Sequence, residues 1–131
     1  MLYSIKSHKA IAEIQRGLED SAARNKFGIL AVHNLRETMK KKGVEFGMDC
    51  FIFEVCNPVQ AKRVLEANGA VSTALPCRIS VYGAEGDYTL STILPTAMMK
   101  MFDSPGLEPV AQEVEVVVKA MMQDAAGPPE G

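Results

Sequence analysis

The sequence predicts an α+β domain: one mostly antiparallel sheet with helices packed on one face, in the order β-α-β-α-β-α-β-β-α-α. Three observations carry the prediction. Strand-like runs such as Asp49–Val55 are interleaved with runs at helical spacing, such as residues 8–25. Gly83-Ala84-Glu85-Gly86 lies between two strand-like segments and makes their connection an antiparallel hairpin. The 131 residues are 47% hydrophobic and 23% charged, which suits one globular domain with a real core.

In chain order, Leu2–Lys6 alternates and puts Tyr3 and Ile5 on one strand face. Ser7 is placed to cap a helix over His8–Asn25, where Ile11, Ile14, Leu18 and Ala22 form the apolar stripe. Phe27–Asn34 is a short apolar strand. Asn34-Leu35-Arg36-Glu37 has the form of a capping box and opens a short helix. Lys40, Lys41 and Lys42 sit in its last turn, where positive charge suits the helix dipole, and Gly43 ends it. In Asp49–Val55, Phe51, Phe53 and Val55 face one way, and Cys50, Ile52, Glu54 and then Cys56 the other.

The next helix opens at Asn57-Pro58-Val59-Gln60, with Asn57 as cap, Pro58 in the first helical position and Gln60 completing a box; Gly69 closes it. Strands Leu75–Tyr82 and Asp87–Leu94 flank the hairpin loop. Pro95 opens a short helix through Met101, and Asp103-Ser104-Pro105-Gly106 breaks it. The last helix starts near Pro109, with Val110, Val114, Val117, Val118 and Met121 as its stripe. The first and last helices are expected to cover the inner face of the sheet. Residues 1–124 then form a single domain, and Ala125–Gly131, with two prolines and two glycines, a flexible tail.

Composition narrows the function. Fourteen basic residues against sixteen acidic give a net charge of −2, so nucleic acid is not an expected partner. Stacking on single strands is disfavoured by 6% aromatic residues and no tryptophan. No run approaches the roughly 20 apolar residues of a membrane span, and the N-terminus lacks signal-peptide form. An odd count of three cysteines argues against a secreted disulfide framework and for a reducing, cytoplasmic setting. Met98, Met99, Met101, Met121 and Met122 fall at spacings that fit core or dimer packing, although thioethers also bind copper(I). Dinucleotide, P-loop, nucleophile-elbow and zinc-protease motifs do not occur, and the sequence names no cofactor.

The steps Cys56-Asn57-Pro58 and Leu75-Pro76-Cys77, with the hairpin and the Leu94-Pro95 that follow, resemble the domain-of-unknown-function 302 family over about Met1 to Met122. The resemblance implies a TBP-like α+β fold, with one curved antiparallel sheet and long helices against it, often assembled as a homodimer. It implies no established activity. The residue before Asn-Pro is commonly Gly in the family, so this chain resembles a cysteine-bearing type. Some relatives look as if they belong to sulfur-metabolism settings.

Four residues make the candidate ligand site: Cys56, Asn57, Pro58 and Cys77. Cys56 immediately precedes a helix cap, where free amides and the positive dipole end would favour thiolate or bind a small anion. It also fits an inert, buried core thiol. Cys77 begins a strand twenty-one positions later. If the two strand ends are neighbours, the sulfurs can share a soft metal, form a reversible disulfide or handle persulfide sulfur. Cys50 is a poor third ligand, because six residues of extended strand separate it from Cys56 by roughly 20 Å. His33 and Glu54 are candidate proton partners for catalysis with Cys56 as nucleophile, or else a structural histidine and an exposed glutamate.

Three readings follow: a homodimeric module binding a small molecule, sulfur species or soft metal; a thiol-dependent enzyme or sulfur carrier; and a structural or regulatory dimer.

Overall fold

The computed structural model describes residues 1–128 and has the expected element order. Strand β1 (Leu2–Ser7) leads to helix α1 (Ile11–Arg24), β2 (Gly28–Asn34), α2 (Leu35–Lys41) and β3 (Asp49–Cys56). Helix α3 (Pro58–Ala67) and a 3-10 turn (Gly69–Ala74) precede the hairpin β4 (Cys77–Ala84) and β5 (Asp87–Ile93). Helices α4 (Pro95–Met99) and α5 (Leu107–Ala126) complete the chain. The five strands form one open sheet in the order β1-β5-β4-β3-β2, with every neighbouring pair antiparallel.

Strand alternation puts one face of the sheet into the core. Phe53 and Val55 of β3, Ile79 and Val81 of β4, and Tyr88 and Leu90 of β5 are buried. Against them pack Ile14, Leu18 and Ala22 of α1 and Val118, Met121, Met122 and Ala125 of α5. The first and last helices therefore cover the inner face. A smaller core joins Val64, Val71, Met99, Leu107, Val110 and Ala111, tying α3, the 3-10 turn and α4 to the start of α5. Met99, Met121 and Met122 are core residues, whereas Met101 is exposed. No helix of the described residues is long and apolar enough to cross a membrane.

Several local expectations change. Ser7 does not cap α1; it ends β1, and its hydroxyl donates to the Ala126 carbonyl at 2.9 Å and accepts from the Lys9 amide at 3.2 Å. The N-cap of α1 is Ala10. Pairing continues to Ala84–Asp87, so the hairpin turn is Glu85-Gly86 rather than four residues, with Gly86 at φ +83°. Helix α3 ends at Ala67, and Gly69 starts the 3-10 turn. Helix α5 starts at Leu107, because Gly106 takes the left-handed cap position at φ +92°. It runs on through Ala125 and Ala126, both buried, so the expected tail loses its first two residues to the core; of its remainder, 129–131 lie outside the described residues.

Candidate functional site

Antiparallel pairing brings the end of β3 beside the start of β4, with Val55 opposite Cys77. Cys56 is the next residue of β3 and its last. The Leu75–Pro76 peptide, which is cis, leads into Cys77. The two cysteines are thus backbone neighbours where the sheet meets α3, with their side chains alternating to opposite faces of the sheet, and neither is in a disulfide.

Both cysteines line one cavity of about 40 Å³. Its walls are mainly apolar and include Phe27, Val64, Leu75, Met99 and Val110; Asn57, Pro76 and Gln60 also border it. Val64, Met99 and Val110 come from three different helices, and sequence reasoning did not connect them to the cysteines. Their apolar stripes were legible, but which stripe lies over which strand end depends on packing alone.

The electrostatics depart from the expectation for a thiol beside a helix start. Burial pushes the Cys56 thiol up from its ordinary range. Burial, with the charge of a nearby Cys56 thiolate, pushes Cys77 up to about 11. Both groups are therefore protonated thiols at neutral pH. The amides of α3 are already engaged. The Asn57 side-chain oxygen accepts from the Val59 and Gln60 amides at 2.9 and 3.1 Å, its backbone carbonyl accepts from Ala61 at 2.9 Å, and Pro58 has no N–H. The cap that starts the helix thus also uses the donors expected to bias Cys56 or hold an anion. Gln60 does not complete a box: its amide group donates to Glu113 at 3.2 Å and its oxygen accepts from Arg63 at 2.7 Å.

The remaining candidates are elsewhere. His33 Nε2 and Glu54 Oε1 are 3.3 Å apart, and neither residue lines the cavity. Strand alternation places Glu54 on the sheet face opposite the buried Phe53 and Val55. Cys50 pairs in register with Tyr82, toward the other end of β3. Among the described residues no group of three His, Cys, Asp or Glu side chains is arranged to hold a metal.

At the far end of β3 lies a polar cluster that the sequence did not reveal. The buried Tyr88 donates its hydroxyl to Asp49 at 2.7 Å, with Glu85 at 3.2 Å, and Arg36 donates to the other Asp49 oxygen at 2.8 Å. The Tyr88 hydrogen bond and then Arg36 hold the Asp49 carboxyl below its usual range. Burial and the Asp49 bond push the Tyr88 phenol up. This cluster joins α2, β3 and the hairpin.

The sequence model described as "Domain of unknown function DUF302" matches residues 3–125. The chain belongs to the DUF302 family. A solved relative, the crystal structure of an uncharacterized conserved DUF302 protein from Bacillus stearothermophilus, superposes on this DUF302 chain with a TM-score of 0.87 at 31% identity. The alignment covers 96% of this chain and 98% of that one. No curated protein matches this DUF302 chain.

Proposed function

We propose that this DUF302 chain is a binding module whose cavity between Cys56 and Cys77 takes a compact, soft ligand: a sulfur species or a thiophilic metal ion. The observation that carries the reading is that two thiols distant in sequence border the same small, mainly apolar cavity. At roughly 10–15 Å³ per water-sized centre, its volume suits about three such atoms. Apolar walls disfavour a hard, strongly hydrated ion, and sulfur donors favour copper(I) among metals. Because both thiols are protonated, a metal must displace protons, and its affinity would rise with pH. Catalysis with His33 or Glu54 as proton partner gains no support, since those side chains pair with each other away from the cavity. Three cysteines outside any disulfide fit a reducing cytoplasm and a sulfur-handling role.

Native mass spectrometry of anaerobically purified protein, with copper(I) and hydrosulfide as probes, tests the reading. Wild type should carry a stoichiometric metal or sulfur adduct that Cys56→Ser and Cys77→Ser each abolish. An unadorned mass with both probes would overturn it.

A second reading, of assembly, is favoured by the outer face of the sheet. We propose a homodimer formed through it. Leu2 and Ile93 are paired in register and exposed, at 68% and 52%. Ser4, Ser91 and Ser80 lie in one cross-strand row, small enough for close approach. Glu54 and Arg78, also in register, supply both charge signs to a surface that can then be self-complementary about a two-fold axis. Light scattering at micromolar concentration should give a dimer that Ile93→Arg converts to monomer; a wild-type monomer would remove this reading.

A further inference from the structure

Helix α3 is held to the molecule differently from α1 and α5. Its inward positions Gln60, Ala61 and Val64 follow the cap Asn57 at helical spacing, and all four residues border the cavity. Among the described residues of α3 only Val64 is buried, against four in α1 and eight in α5. The helix rests mainly on α5 and the 3-10 turn, not on a strand. A segment with so little apolar burial is the part of a fold that opens most readily. What closes it is polar. Arg63 Nη1 donates to Glu113 Oε2 of α5 at 2.6 Å and to Gln60 Oε1 at 2.7 Å, and Gln60 Nε2 donates to the same Glu113 oxygen at 3.2 Å. Arg63 and then Gln60 hold the Glu113 carboxyl below its usual range, so it is charged at neutral pH. Arg63 and Glu113 are 45% and 54% exposed, which leaves this clasp open to screening by salt.

The helix is flanked on both sides by residues with extended backbone. Asn57 is at φ −111° and ψ 116°, and Asn68 at φ −159° and ψ 109°. Such element-terminal positions absorb the rotation of a rigid segment. Asn68 also tethers the far end, donating from its side chain to the Ser104 hydroxyl at 3.0 Å. On the sheet side of the cavity stands Cys77, whose thiol is pushed up to about 11 chiefly by burial, with α3 among the walls that keep water from the cavity. We propose that α3 is a lid, hinged at Asn57 and Asn68 and latched by the Arg63–Glu113–Gln60 clasp, whose opening admits small molecules to the cavity and to Cys77. What enters rests on the binding reading above; the opening of the lid does not.

Reduced full-length protein is treated with N-ethylmaleimide at about pH 8.5, where more of each thiol ionises, and the labelling of each cysteine is followed by peptide mass. Glu113→Ala removes the α5 half of the clasp and leaves α3 itself unaltered. Cys77 should then be labelled roughly tenfold faster than in wild type, while Cys50, toward the other end of β3, keeps its rate. Arg63→Ala should match it. About 1 M sodium chloride should speed Cys77 labelling in wild type but not in Glu113→Ala. Lys62→Ala breaks an exposed ion pair with Glu66 inside α3 and should leave the Cys77 rate unchanged. Equal Cys77 rates in wild type and Glu113→Ala would overturn the lid. So would equal acceleration of Cys77 and Cys50, which is the pattern of whole-domain unfolding.

Loading with copper(I) and hydrosulfide distinguishes the lid from the binding reading. Faster loading of Glu113→Ala than of wild type, to the same final stoichiometry, supports the gate. Faster Cys77 labelling in a protein that takes up neither probe removes the binding reading and leaves the lid. Loading at one rate in both proteins, with Cys77 labelling also unchanged, removes the lid and leaves the binding reading.

Discussion

At the scale of single residues, the same atoms often have a structural task that displaces the chemical one their sequence suggests. Asn57 is an example: by accepting from Val59 and Gln60 it uses the amides that would otherwise stabilise a Cys56 thiolate. Asp49 shows how a buried hydroxyl and a cation can set a carboxylate's titration. Its value is held low in the fold, so its contribution to stability is present above the ordinary carboxylate range near pH 4 and is lost as pH falls through the lowered value. Tyr88→Phe removes the phenol's hydrogen bond to this carboxylate and should cost about 1.5–3 kcal/mol at pH 7. The cost should shrink at an acid pH below the lowered Asp49 value, where the carboxyl is protonated in both states. Urea unfolding at the two pH values reads this directly; an identical cost at both would mean that the bond does not favour the ionised carboxyl. On the alkaline side the raised Tyr88 phenol has the opposite sign. Its contribution is complete below about pH 10 and is lost as pH rises through its raised folded value.

At the scale of elements, a tight packing constraint lies at the crossing of α1 and α5. A Cβ added at Gly17 would meet the Ala125 Cα at 2.8 Å and its Cβ at 3.3 Å. Two effects oppose each other in Gly17→Ala. Helix propensity favours alanine by about 1 kcal/mol, while overpacking a fitted contact costs about 1–3 kcal/mol. Packing should win, because the nearest atom belongs to the backbone of Ala125 and yields only if the whole helix moves. We therefore expect Gly17→Ala to lower Tm by a few degrees in calorimetry. A raised Tm would show that the helices separate without penalty. Gly83 is constrained in another way: at φ +135° an added Cβ would collide with the Asp87 carbonyl across the hairpin.

At the scale of the whole molecule, β1 and the end of α5 hold each other although they lie at opposite ends of the chain. Ser7 is buried and donates to Ala126, while Ala125 and Ala126 are buried against the main core. Truncation after Asp124 should therefore cost roughly 2–4 kcal/mol, from lost apolar burial and an unpartnered buried hydroxyl. Chemical denaturation of the truncated chain checks this; wild-type stability would show that the domain ends where composition places its tail. Element order, the inward positions of β3, the Asn34 and Asn57 caps and the hairpin were legible because period-2 and period-3.6 patterns, caps and glycines act within a few residues of chain. The register at Val55–Cys77 and the three helices that wall the cavity were not legible, nor were the Tyr88–Asp49–Arg36 cluster and the protonated state of both thiols. Those follow from which distant segments abut and how much water they exclude, and only the assembled tertiary structure decides that.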